Sequence, residues 1–134
     1  MGHIKSHKQF SKGQYLDFII EKDNYIFQLF TNDILVAESY YSTNEPDDLF
    51  NQKYVGLFKL KTIEVFQGKG YMKYLLDQIF NYVKNELGIS SILLNVYKDN
   101  QSALNLYINS GFGVYKDYEQ EDEEEPYFTL IKKL

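Results

Sequence analysis

Gly68 and Gly70 stand two apart in "QGKG", directly before a run of apolar residues at helical spacing and just after a strand-like stretch. A helix whose first turn is flanked by glycines presents unpaired backbone N–H groups and the positive end of its dipole. Without side chains in the way, an anion can reach those amides, so the chemistry such a turn suits is phosphate binding. Lys69 and Lys73 lie beside it and can meet further phosphate charge. The pattern is neither a P-loop, which needs a lysine followed by serine or threonine, nor a dinucleotide fingerprint, which needs three glycines. The same pair would also serve a plain tight turn, so a second signal is needed.

What else the chain can do is narrowed by what it lacks. It has no cysteine, arginine or tryptophan, and its histidines are His3 and His7, both near the start. Cys/His metal sites, Cys-His pairs and Ser-His-Asp triads each need a positioned imidazole or thiolate, and none is expected. Chemistry is left to carboxylates, tyrosines, lysines, backbone amides or a borrowed cofactor. The net charge of -5 is local: "DYEQEDEEE" (117–125) holds seven of the 19 acidic residues, leaving 12 acids against 14 lysines elsewhere. Lysine is nowhere concentrated without interruption, which gives nucleic-acid binding no support. No apolar run approaches membrane-span length and the start has no signal-peptide core, so a soluble, cytoplasmic protein that does not engage a membrane is the expectation.

The glycine turn needs elements to hold it. The 134 residues, 44% hydrophobic, suffice for one domain burying about 68% of its unfolded surface. Residues 1–13 are expected to be a flexible leader and 14–134 the domain. From Tyr15 to Tyr41 an aromatic and β-branched pattern broken by "EKDN" and "TND" predicts three antiparallel strands, and "KYVGLFKLKTIEV" a fourth beyond the Pro46 loop. Leu75, Leu76, Ile79, Phe80, Val83 and Leu87 predict a helix after Gly70 that stops at Gly88. "SSILLNVY" is then a buried strand, and a strand-helix-strand unit of this size implies a parallel pair. A second helix begins near Asp99 or Asn100 and ends at Gly111, and "FGVYKDY" with "PYFTLIKKL" forms a closing hairpin.

The second signal is "NQSALNLYINSGF". Asn100, Ala103, Leu106, Tyr107, Gly111 and Phe112, taken with "QGKG" before a helix, resemble the GNAT superfamily of N-acetyltransferases. In that family a Q/R-x-x-G-x-G/A motif precedes N-x-x-A-x-x-L-Y-x-x-x-G-F, and the match runs from about Leu57 to Tyr115. The resemblance implies a mixed, mostly antiparallel sheet with one central splayed parallel strand pair and two main helices. Two departures stand out: Met72 occupies the last small position of the first motif, and "EKDN" replaces the two helices usual between the first two strands.

The resemblance further implies acetyl-CoA as co-substrate and no metal. The pyrophosphate would lie on the amides of Gln67, Gly68, Lys69, Gly70, Tyr71 and Met72, with Lys73 alongside. The pantetheine arm would pair like an added strand with backbone around Leu60 and Thr62, where the parallel pair splays. By the family pattern Asn100 would hydrogen-bond the pantetheine and Tyr107 would protonate the departing sulfur, although each also suits a purely structural role, cap and core aromatic respectively. The backbone N–H near Thr62 is the oxyanion donor expected, and Glu64, or else Glu38, the base that deprotonates the amine. The acceptor expected is a small-molecule or protein amine, and the acidic run near the site favours a basic one, though it would equally serve as a solvated loop. A monomer or homodimer is expected. The competing reading keeps the fold as a binding or interaction module without transfer.

Overall fold

Alternation sets the first half of the molecule: β3 runs Ile26–Thr31 with every second side chain buried, and β2 (Gln14–Glu21) and β4 (Ile34–Asn44) follow the same period of two. The computed structural model describes residues 3–11, 13–118 and 125–134. The remaining strands are β1 (His3–Ser11), β5 (Tyr54–Thr62), β6 (Ser91–Tyr97), β7 (Gly113–Tyr118) and β8 (Tyr127–Lys133), and the helices are α1 (Tyr71–Asn85) and α2 (Gln101–Asn109). All eight strands form one sheet in the order β1, β2, β3, β4, β5, β6, β8, β7. It is antiparallel except where β5 meets β6, the mixed sheet with two helices that the sequence implies. No helix is long and apolar enough to cross a membrane among the described residues.

The reading of residues 1–13 as a flexible leader is corrected by β1, which pairs antiparallel with β2 along its length. Its sequence hid this because β1 is an edge strand, and polar, lysine-bearing edges are the usual form. Side chains fasten it: Ser6 Oγ donates to Gln78 Oε1 on α1 at 3.0 Å, and His7 pairs with Asp17 and stacks on Tyr15. The strand expected as the fourth is therefore β5. The acidic run lies outside the described residues from 119 to 124.

Both helices cover one face. Leu75, Leu76, Ile79 and Val83 of α1 pack with Leu16, Phe18, Phe27, Leu29, Tyr41, Val55, Leu57 and Ile92, and Tyr107 of α2 joins the same core. Removing Gly68 and Gly70 from the helix interior lets α1 start cleanly at Tyr71, and Gly88, at φ 66°, ends the segment. On the other face the turn "EKDN" leaves no helix between β2 and β3. There the 45–53 loop covers one end only, where Phe50 and Tyr54 pack on Leu93 and the Tyr115 hydroxyl donates to Leu49 O at 3.0 Å.

The core and the parallel crossover meet at Gly111, whose φ of 99° suits glycine and whose missing Cβ would lie 2.4 Å from Lys132 Nζ. The lysine tip can move aside, so backbone strain is the main cost. Gly111→Ala should destabilise the fold by about 1–2 kcal/mol, read as a lower urea midpoint with unchanged m-value.

Candidate acyl-CoA site

β5 and β6 pair for only three residues, Val55 with Ile92, Gly56 with Leu93 and Leu57 with Leu94, and then part. A bulge drives them apart. Tyr40 of β4 opposes Phe58 while Glu38 opposes Lys61, so β5 carries one residue more than β4 between these pairs, and Lys59 takes the left-handed conformation at φ 52°. Beyond the bulge Ile63 N–H donates to Val36 O at 2.8 Å. Strand alternation then turns the peptide groups of Thr62 and Leu60 toward the gap. The Thr62 carbonyl accepts from Gln67 Nε2 at 3.2 Å, which ties the glycine turn to the end of the strand.

Next to the gap is the turn itself. A short 3-10 helix, Glu64–Phe66, leads to Gly68 at φ 75° and Gly70 at φ 84°, and Gly70 is the N-cap of α1. A Cβ at either glycine would meet nothing within 4 Å, so the glycines are required by the backbone and leave open space over the helix start. Tyr71 fixes the turn from beneath: it is buried, packs edge-on against Phe66 and accepts a hydrogen bond from Gln14 Nε2 on β2. Met72 belongs to the buried core, so the departure from the small residue of the motif packs inward.

The turn and the gap open into one another. A cleft of about 390 Å³ is lined by Leu60, Thr62, Gln67, Gly68, Gly70, Tyr71, Met72, Lys73, Asn100 and Tyr107, all expected from the sequence. Phe66, Ser102, Ala103 and Leu106 complete it. Ala103 and Leu106 occupy motif positions and could have been named; Phe66 and Ser102 carry no such signal. A second cleft of about 280 Å³ lies between the parted strands and shares Leu60, Asn100, Ala103 and Tyr107 with the first. Lys69 and Glu64 are exposed and line neither cleft, while Glu38, half-buried on β4, accepts from Gln28 Nε2 at 3.5 Å. Glu38 lies two residues from Tyr40, whose ring stacks on Phe58, and so shares the helix-free face.

Asn100 is both a cap and a cleft residue. Its Oδ1 accepts from Ala103 N–H at 3.2 Å, which leaves its amide nitrogen to donate to a ligand. Tyr107 is buried at the junction of the two clefts, and burial pushes its hydroxyl up to about 12. The phenol therefore stays protonated across the physiological range. Tyr41, through burial, and Tyr54, through burial and its bond to Asp47, are also raised to about 12.

A glycine turn at a helix start, a gap between two parted strands and a buried tyrosine thus share one pair of adjoining clefts. A family model for the acetyltransferase (GNAT) family matches residues 3–112, and the chain belongs to that family. No curated protein matches it in sequence. Among solved structures, a ribosomal-protein-alanine N-acetyltransferase from Escherichia coli superposes with a TM-score of 0.67 at 20% identity, over 84% of this chain and 71% of that one. Naa50 of Arabidopsis thaliana, solved with the bisubstrate analogue CoA-Ac-MVNAL, gives 0.66 at 18% identity over 83% and 74%. Ard1 of Thermoplasma volcanium gives 0.68 at 17% over 85% and 73%.

The raised tyrosines have a consequence for stability. A neutral buried phenol with a folded-state pKa of about 12, against about 10 unfolded, contributes fully below pH 10. That contribution is lost as pH rises toward 12, because the unfolded chain releases the proton first. The melting temperature should fall between pH 10 and 12, and Tyr107→Phe should make that fall shallower in a calorimetric series.

Proposed function

We propose that the protein transfers an acetyl group from acetyl-CoA to a primary amine by direct attack in a ternary complex. The observation that supports this most is the continuity of the glycine turn, the strand gap and Tyr107 through shared lining residues. The residues fit the co-substrate: the amides from Gly68 to Met72 and the Lys73 ammonium suit a pyrophosphate, whereas the Gln67 N–H already donates to Glu64 O at 3.2 Å. The outward peptide groups of Leu60 and Thr62, with Asn100 facing them, suit the amides of a pantetheine arm. Naa50 and the NatC complex were solved with a coenzyme A conjugate and with coenzyme A respectively, which accords with this assignment.

In the reaction the amine nitrogen attacks the thioester carbonyl carbon, the C–N bond forms, and negative charge moves to oxygen. A gap-facing backbone N–H of β5 stabilises that charge. As the intermediate collapses the C–S bond breaks, and the sulfur takes the Tyr107 hydroxyl proton. A phenol raised to about 12 is a weak acid toward a thiolate whose conjugate acid titrates near 8.5. Transfer must therefore accompany bond cleavage, with the thiolate's charge developing against the O–H. The acceptor's own proton passes to Glu38 or Glu64, directly or through water. Of the two, Glu38 shares a face with Phe58 and the parted strands, and it is the base we favour.

The finer reading, that the acceptor approaches as a cation, rests on composition. Seven carboxylates between Asp117 and Glu125 raise the local concentration of a protonated amine in a salt-dependent way. The competing reading, a module that binds without transferring, draws on the absence of helices between β2 and β3. Tyr107→Phe separates them. Free-thiol release from acetyl-CoA in the presence of amines should fall by about 10²-fold or more, while calorimetric affinity for acetyl-CoA stays within two- to three-fold of the parent. An unmodified protein that binds acetyl-CoA but releases no thiol with any amine would establish the module instead. Glu38→Gln should lower turnover more than Glu64→Gln in the same assay.

A further inference from the structure

The helix-free face carries a groove that leads out of the strand gap. Three hollows join there through Asn95: the gap itself, a hollow of about 280 Å³ against Val96, Tyr97 and Tyr127, and one of about 220 Å³ floored by Gly56 and Thr129. Strand register explains the row. Tyr40 opposes Phe58, Leu57 opposes Leu94 and Asn95 opposes Thr129, so Phe58, Asn95 and Thr129 follow one another across β5, β6 and β8 on this face. Gly56 gives the groove depth, since a Cβ there would lie 2.9 Å from Ser42 Oγ.

The chemistry of the lining is specific. Its walls are Phe58 and Tyr97, 43% and 55% exposed, and its polar groups are neutral: Asn95, Thr129, Ser42 and Asn44. Thr129 Oγ1 donates to Asn95 Oδ1 at 2.7 Å. This aims the Asn95 amide N–H groups into the groove, where they can donate to a carbonyl. Among the described residues, the charged side chain that lines these three hollows is Lys59, a cation. A polyamine would bring its second and third charges against Lys59 and against amides that cannot neutralise them. A chain of peptide groups would instead meet donors, acceptors and aromatic walls.

The acceptor's pKa points the same way. Glu38 is the candidate base on this face, yet it lies outside the lining of all three hollows. A lysine-type amine, with a pKa of about 10.4, is neutral in roughly one molecule in 2,500 at pH 7, whereas an α-amine near 7.7–8.0 is neutral in roughly one in ten. A site without a carboxylate in contact with the amine works far better on the second.

Resting on the acetyltransferase reading above, we infer that the acceptor is the free α-amine of a peptide or protein, its first residues lying extended in this groove with uncharged side chains against Phe58 and Tyr97 and a carbonyl on Asn95.

The test compares kcat/KM with acetyl-CoA for three amines: a tetrapeptide with a free α-amine and uncharged side chains, the same peptide N-blocked and carrying one lysine, and spermidine. The free α-amine should lead by at least ten-fold at pH 7, and its kcat/KM should level off above about pH 8. Asn95→Ala should raise KM for the tetrapeptide about five-fold, the size of one hydrogen bond, without a matching rise for spermidine. Phe58→Glu, which puts a carboxylate in the groove, should move the preference toward spermidine. A parent enzyme that prefers spermidine or the lysine peptide overturns the inference and leaves the transferase reading standing. Failure to acetylate any of the three while acetyl-CoA still binds overturns both.

Discussion

The bulge at Lys59 is the constraint on which the site depends. By placing one extra residue in β5 opposite β4, it bends the strand away from β6 after three paired residues. The peptide groups that would have closed the ladder are left facing a gap. Unpaired backbone in the middle of a sheet is unfavourable unless water or a ligand satisfies it. Holding Lys59 in the left-handed region adds strain of about 1–3 kcal/mol. That strain is kept because the strands on either side are fixed, β5 by β4 along its length and β6 by β8 at seven successive positions. The gap is thus a rigid feature between two well-paired halves of the sheet.

The glycine turn is held to that gap from three directions. Gln67 reaches back to the Thr62 carbonyl, Phe66 meets the Tyr71 ring edge-on, and Gln14 donates to the Tyr71 hydroxyl from β2. Farther along α1, Ser6 of β1 bonds Gln78. The first two strands therefore act on the helix that carries the turn, although they lie at the far edge of the sheet. Both ends of the paired clefts, the helix-start amides at one and Tyr107 at the other, are fixed in this way before any ligand arrives.

The absence of helices between β2 and β3 changes the helix-free face more than it changes the core. One end of that face is closed by the 45–53 loop, with Asp47 accepting from the Leu49 and Phe50 amides and from the Tyr54 hydroxyl, and by Tyr115 from β7. The other end stays open beside the gap, with Tyr40 stacked on Phe58 and Lys59 over the Tyr40 ring. The helix-free face is thus built from strands and a single loop, while the face with α1 and α2 carries the glycine turn.

Much of this was legible in the residues. Helical spacing from Leu75 to Val83, the glycines that bound α1, Asn100 as cap and the alternating strands are local signals, because a helix or a half-buried strand writes its period directly into the sequence. Ten of the cleft residues could be named in advance, some from the two motifs and the rest from the turn and the strand end beside them. β1 was missed because an edge strand paired on one side needs no apolar period, and its contacts with α1 come from residues more than seventy positions away. The bulge at Lys59 was equally hidden, since its cause is the mismatch between β4 and β5 and not any property of lysine. Sequence alone determined most of the residues that line the larger cleft. Tertiary structure decided how far β5 and β6 part, that Glu64 and Lys69 stay outside the clefts, and that Phe58, Asn95 and Tyr97 share one open groove, because those facts depend on the register between strands distant in the chain.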